Sequence, residues 1–168
     1  MSPSPLPSLL IGQVVLVGIG ATAVMDAWLL LLSRLGVPTA SFALVGRWIG
    51  HMAHGRFTHA AIAKAPSVRF EGVLGWLTHY AIGIAYAALL VGTQGPAWLA
   101  QPAWLPALAV GIATVAAPWL VMQPAMGAGF FARRTPTPLK NALRSLANHA
   151  VFGTGLYLAA AVLAAAAA

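Results

Sequence analysis

Four polar side chains set deep in apolar sequence are the groups with chemistry to offer: Asp26, His79, Gln123 and His149. Counted from the nearest boundary charge, Asp26 lies eight residues from Arg34, His79 eight from Glu71, Gln123 ten from Arg133 and His149 five from Arg144. At a helix rise of about 1.5 Å per residue, all four reach a similar depth and form one layer if their faces turn inward. A carboxyl group beside a histidine at such depth can pass a proton, because imidazole titrates near neutral pH; proton-coupled transport is the chemistry this pairing serves. His79 and His149 as neutral imidazoles could instead ligate copper or a haem iron, with Met122 and Met126 favouring Cu(I) over harder ions. One such group at most would fit, since each helix offers a single histidine. The plainest alternative is a set of interhelical hydrogen bonds that only fixes helix register, as in a structural or assembly subunit.

Other polar residues point less sharply to a reaction. His51, His54 and His59 include an H-x-x-H spacing that places two imidazoles near one helical face, but no carboxylate or Cys accompanies them. Contact with lipid headgroups suits that basic and aromatic stretch better. The chain has no Cys, which excludes disulfides, thiolate zinc sites and thiol catalysis. Without a phosphate-binding glycine loop, a nucleophile elbow or a pair of carboxylates in one loop, a hydrolase of soluble type is disfavoured, and an enzyme ranks behind binding, transport and structural roles. No cofactor is required by the sequence.

The elements that must position these groups follow from length and hydropathy. A hydrocarbon core needs about 20 apolar residues as helix, and four segments supply them: 9–32, 72–91, 105–131 and 145–164. The expected fold is therefore an all-α, four-helix membrane bundle forming one domain over 1–168. The first residues, MSPSPLPS, lack a basic residue and a convincing cleavage context, so the first helix is expected to be retained and not removed as a signal peptide. In the connection 34–70, Ser41 is placed to cap a short helix with Phe42, Val45, Ile49 and Met52 on one face, a pattern expected of an interfacial amphipathic helix; a second short helix is expected over Thr58 to Lys64. Pro118 and Pro124 interrupt the third segment and withhold partners from the carbonyls of Thr114 and Leu120. Trp98 and Trp104 lie in the uncharged turn between the second and third segments, where aromatic rings meet headgroups.

Composition agrees. Sixty per cent of residues are hydrophobic and 7% charged, against about 25% charged in soluble domains. Nine Lys and Arg face two acids, yet so apolar a chain has little surface on which to hold nucleic acid. All nine basic residues lie in or beside the loops 34–70 and 132–144. The bias of basic loops toward the cytoplasm then places both termini on the non-cytoplasmic side, with anionic headgroups as partners of the basic loops. Four helices make a narrow pathway, which a homo-oligomer would widen.

The halves resemble each other. Val17-Gly18-Ile19 with Ala21-Thr22 is echoed by Val110-Gly111-Ile112 with Ala113-Thr114, and H-x-x-x-G occurs at His79–Gly83 and His149–Gly153. Two parallel helical-hairpin repeats would produce this. Finally, A-T-A-V-M-D ending at Asp26, L-V-G-R-W-I-G-H ending at His51, L-T-H-Y-A-I-G around His79, V-M-Q-P-A-M-G from Val121 and H-A-V-F-G from His149 together cover nearly the whole chain. In these stretches the chain resembles a bacterial family of small integral membrane proteins known as a domain of unknown function. The resemblance implies a bacterial inner (cell) membrane protein with multiple spans, and it brings no activity and no catalytic residues.

Overall fold

The computed structural model describes residues 7–167; the opening stretch 1–6, read above for a leader, and residue 168 lie outside it. Four helices are long and apolar enough to cross a membrane: α1 (Pro7–Arg34), α3 (Glu71–Gln94), α4 (Trp104–Ala125) and α5 (Pro138–Ala166). A shorter helix, α2 (Phe42–Met52), precedes α3. No strand occurs among the described residues. The chain is thus an all-helical membrane protein, and its four spans alternate in direction because each connection returns the chain to the end of the bundle it left.

Local sequence explains where the helices stop. Leu35 and Gly36 leave α1 through a left-handed glycine, φ +73°, with Val37 N–H donating to the Leu32 carbonyl at 2.9 Å and Gly36 N–H to Ser33 at 3.0 Å. That double closure satisfies carbonyls the helix would otherwise leave bare. Gly95, φ +84°, closes α3 ahead of Pro96. Pro138 opens α5 at the first helical position, where its missing N–H costs nothing.

Several boundaries differ from the sequence expectation. The third span ends at Ala125 and not near 131, because Gly127 (φ +97°) and Gly129 (φ +75°) turn the chain within sequence that stays apolar. Residues 130–132 form one 3-10 turn, with Phe131 and Ala132 both at positive φ, 52° and 59°. Non-glycine residues held there cost about 1–3 kcal/mol each and persist only where the surroundings impose them. The fourth span starts at Pro138 and not at 145, so Lys140 and Arg144 stand on a helix and not in the loop 132–144. The helix expected over Thr58 to Lys64 is reduced to the 3-10 turn Ile62–Lys64.

Packing follows the glycines. α1 lies between α3 and α5, α5 also packs on α4, and α2 lies along α3. A Cβ at Gly18 would stand 2.5 Å from Ile84 Cα and 3.1 Å from the Gly83 carbonyl; a Cβ at Gly111 would stand 2.5 Å from Gly153 Cα. The α1–α3 and α4–α5 pairs therefore meet through corresponding residues of the two halves. Backbones this close gain dispersion and polar contacts that lipid tails cannot offer. Val17, Ala21, Leu90, Trp98, Leu99, Phe152 and Leu156 fill the core at the end of the bundle where α1 starts, α5 ends and the α3–α4 turn lies. Trp98 belongs to this core, 6% exposed, and not to a headgroup belt, whereas Trp104 is 45% exposed. Leu16, Leu30, Leu77 and Val162 are more than half exposed on the outer faces, where a bilayer would cover them.

Candidate intramembrane binding site

At the other end of the bundle, where the basic loops lie, the helices do not close over one another. α3 and α4 touch only slightly, and between them opens a cavity of about 350 Å³. Its walls come from all five helices: Thr22 and Met25 of α1, Phe42 and Trp48 of α2, His79 and Tyr86 of α3, Pro118 and Met122 of α4, and Asn148 and His149 of α5. The lining is mainly apolar with a few polar groups, which is the usual make-up of a small-molecule site.

α4 leaves this space because of its prolines. Val115 ends the regular turns, and Pro118–Met122 winds as a π-helix in which Gln123 N–H donates to the Pro118 carbonyl. One widened turn absorbs the missing proline donors without leaving the membrane, and such turns occur often at functional positions.

Asp26 carries two hydrogen bonds from α3. Its Oδ1 lies 2.8 Å from His79 Nε2, and the Tyr80 hydroxyl donates to Oδ2 at 2.8 Å. The His79 and Asp26 side chains are 10% and 19% exposed, so the pair is held mostly away from the outside. The bond between them contains one proton, whichever atom it formally belongs to, and His79 Nδ1 makes no hydrogen bond among the described residues. The Phe42 ring lies 4.2 Å from the imidazole, centre to centre, and fixes its plane. On the opposite wall His149 Nδ1 pairs with Thr114 Oγ1 at 3.0 Å, and that hydroxyl donates to the Gly111 carbonyl at 2.7 Å. Each histidine on the cavity wall thus has one ring nitrogen committed to an orienting partner and the other available, as ligand-binding imidazoles require.

The fourth member of the expected layer, Gln123, stands apart. Gln123 donates from Nε2 to Ser145 Oγ at 3.2 Å, joining α4 to α5, while its Oε1 is buried without a partner. It does not line the cavity. Met122 does, and Met126 does not. No group of three or more His, Asp or Glu stands together as a metal site among the described residues. Tyr80, Thr114 and Ser145 complete the polar contacts and were not picked out by sequence. Tyr80 neighbours His79 along the helix, about 100° around it, which still lets both side chains reach one carboxyl group lying between them.

α2 is more than an interfacial helix. A Cβ on Gly46 would overlap the Glu71 carbonyl and one on Gly75 the Phe42 carbonyl, so the two helices touch backbone to backbone. Ser41 precedes α2 but makes no side-chain cap. Arg47 does not point to solvent: its Nε and Nη2 donate to both oxygens of Glu71 at 2.9 and 2.7 Å, and Nη1 donates to the carbonyls of Ile62, Ala63 and Ala65. The Glu71 carboxylate holds the Arg47 guanidinium even above its ordinary value. One arginine therefore ties α2, the following loop and the start of α3 together, in the two-pronged geometry that only guanidinium provides.

The first loop also docks on α4. His59 N–H donates to the Ala125 carbonyl at 2.7 Å and Ile62 N–H to Met126 at 3.0 Å. His51 Nδ1 and His59 Nε2 share a hydrogen bond at 2.7 Å with the rings stacked, while His59 Nδ1 is buried and unpartnered. Burial first, then the charges of Arg56 and His51, hold the His59 imidazole below its ordinary 6.5. The unfolded loop accordingly takes up a proton that the docked loop refuses. Docking has its full strength above pH 6.5 and weakens as pH falls below it. Limited proteolysis of residues 57–65 is expected to quicken between pH 7.5 and pH 5; equal rates would refute the docking role of His59.

Fold and site together define a four-span helical membrane protein with a half-open cavity at its basic end. The chain belongs to the family described as protein of unknown function (DUF2938), whose model matches residues 15–163. No curated protein and no solved structure matches it.

Proposed function

We propose that this protein binds a lipid-soluble ligand that enters its cavity sideways from the bilayer, with the Asp26–His79 pair supplying an exchangeable proton beside it. The observation that carries this reading is the rim. Ile82 of α3 and Val121 of α4 line the cavity and are also 43% and 58% exposed, within spans that a bilayer would cover. An opening there admits molecules already dissolved in the membrane. Behind it lie apolar and aromatic walls, with His79 and His149 as hydrogen-bonding ends, and 350 Å³ falls in the lower part of the range usual for ligand sites, about 300–1,000 Å³. Transport is the same reading extended: a proton gained or lost at Asp26–His79 would bias the occupied state, with the π-turn of α4 as the movable wall.

Val121→Trp tests the portal. The larger ring fills an exposed rim position and leaves the helix contacts alone. Organic extraction and mass spectrometry of wild-type protein purified in mild detergent should yield a stoichiometric small molecule that Val121→Trp lacks. Equal yield from both, or none from either under gentle extraction, would sink the reading and leave the structural-subunit alternative.

A second reading rests on His79, His149 and Met122 sharing the cavity wall: a copper or haem site. An absorption spectrum with elemental analysis of the same sample decides it. A Soret band or stoichiometric copper lost in both His79→Ala and His149→Ala would support the cofactor, and a colourless, metal-free protein would oppose it.

For location we propose the bacterial inner membrane with the basic end in the cytoplasm, supported by nine basic residues at one end of the bundle and none at the other. The chain has no Cys, so single introduced thiols report cleanly. Gln94→Cys should react with an impermeant maleimide added to intact cells, and Ser67→Cys only after lysis; the reverse pattern would invert the topology.

A further inference from the structure

We infer that a second site, the groove bounded by Pro124 and Arg134 at the basic end of α4, holds the phosphodiester of an anionic phospholipid. The groove measures about 260 Å³ and is lined by Pro124, Gly129, Phe130, Arg133 and Arg134. Three observations point to a lipid phosphate there.

The first is charge without a counter-charge. The chain has two side-chain carboxylates. Glu71 is engaged by Arg47, and Asp26 by His79 and Tyr80. Arg133 and Arg134 are exposed and side by side, with neither acid paired to them. Their counter-ion comes from outside the chain, and guanidinium groups from two residues lining one groove can bind the two non-bridging oxygens of a phosphodiester.

The second is that this turn is built and not loose. Arg134 N–H donates to the Ala128 carbonyl at 2.8 Å and Arg133 N–H to Phe130 at 3.1 Å. The stem of Arg134 lies across Gly129, where a Cβ would stand 3.0 Å from its Cγ. Phe131 rests against Trp119 with ring centres 5.2 Å apart, and Thr135 bridges the Ala132 carbonyl to Asn141. The positive φ of Phe131 and Ala132 is imposed by this stitching, the setting in which strained backbone marks a ligand clamp. A backbone already fixed at both arginines, with the Arg134 stem held on Gly129, loses less freedom on binding than a loose loop does.

The third is amphipathic continuity. Phe130 and Phe131 are 47% and 44% exposed next to the arginines, at the point where α4 leaves the membrane. A soluble phosphate has no use for those rings, whereas the glycerol and first methylenes of a phospholipid lie naturally along them.

The test uses the full chain in nanodiscs and native mass spectrometry, with phosphatidylglycerol and phosphatidylcholine as probes. Wild type should retain phosphatidylglycerol preferentially, and the double variant R133Q/R134Q should lose that preference by about thirtyfold, the equivalent of two interfacial charges. Lys64→Gln, a basic loop residue outside the groove, should leave it unchanged, and an unaltered circular dichroism spectrum and elution volume would show that the double variant still folds. Equal retention by R133Q/R134Q, or an equal loss in Lys64→Gln, would overturn the site in favour of diffuse charge. Displacement of the lipid by millimolar glycerol 3-phosphate would overturn the lipid assignment and leave a soluble-anion site. The cavity ligand plays no part in these readouts, so either proposal can fail alone.

Discussion

Asp26→Ala is expected to lower stability by about 3 kcal/mol, whereas Asp26→Asn is expected to keep the fold and lose part of its proton dependence. The carboxyl group accepts from Tyr80 and shares a proton with His79, and alanine strands both partners where water is scarce. A typical neutral interhelical hydrogen bond is worth only about 0.6 kcal/mol in membranes, because the separated helices find other partners. Two partners on one carboxyl group, both drawn from α3, leave no such easy replacement. Asparagine still accepts from Tyr80 through its oxygen and donates to His79 through its amide, so helix register survives while the exchangeable proton is gone. Unfolding of the purified protein in mixed micelles separates stability from function. Ligand retention should depend less on pH in Asp26→Asn than in wild type. If asparagine destabilises as much as alanine, the carboxylate is structural; if alanine matches wild type, the pair contributes nothing.

Asp26 stood out in the sequence because an acid within a 28-residue apolar helix demands a partner. Matching depths brought His79 to the same level, and the structure joins the two. Depth alone does not fix the direction a side chain faces, and in lipid-covered helices the apolar pattern says little about facing, since every face is apolar. Gln123 and His149 therefore turn out to meet Ser145 and Thr114 instead of Asp26. The inward packing of α2 was hidden for a related reason. Gly46 and Gly50 carry no hydrophobic signal, and the Arg47–Glu71 pair spans 24 residues, beyond any helical spacing. Pro118 and Pro124 announced a break, but not that a π-turn would heal it. The early end of α4 depended on the positive φ of Gly127, where a Cβ would collide with the Ala60 carbonyl. That contact belongs to a loop more than 60 residues away and leaves no trace in local sequence.

Gly111→Val should be the most damaging single change on the α4–α5 face. The added Cβ would stand 2.5 Å from Gly153 Cα and 2.6 Å from the His149 carbonyl, both backbone atoms that cannot rotate aside. The helices must separate, and forced overpacking of a tight contact costs about 1–3 kcal/mol or more. Separation also moves Thr114, which donates to the Gly111 carbonyl and orients His149, so the cavity wall shifts with the packing. The expected result is a protein that unfolds at lower denaturant in micelles and has lost whatever occupies the cavity. Gly92→Ala is the matched control. It lies in α3 with nothing within 4 Å of its added methyl, and exchanging glycine for alanine within a helix should gain about 0.5–1 kcal/mol. If both variants behaved alike, close approach would not govern this bundle. A loss confined to Gly111→Val would show that the helix contact and the binding wall are one structure, since the glycine that lets α4 reach α5 also anchors the hydrogen-bonded chain from Gly111 through Thr114 to His149.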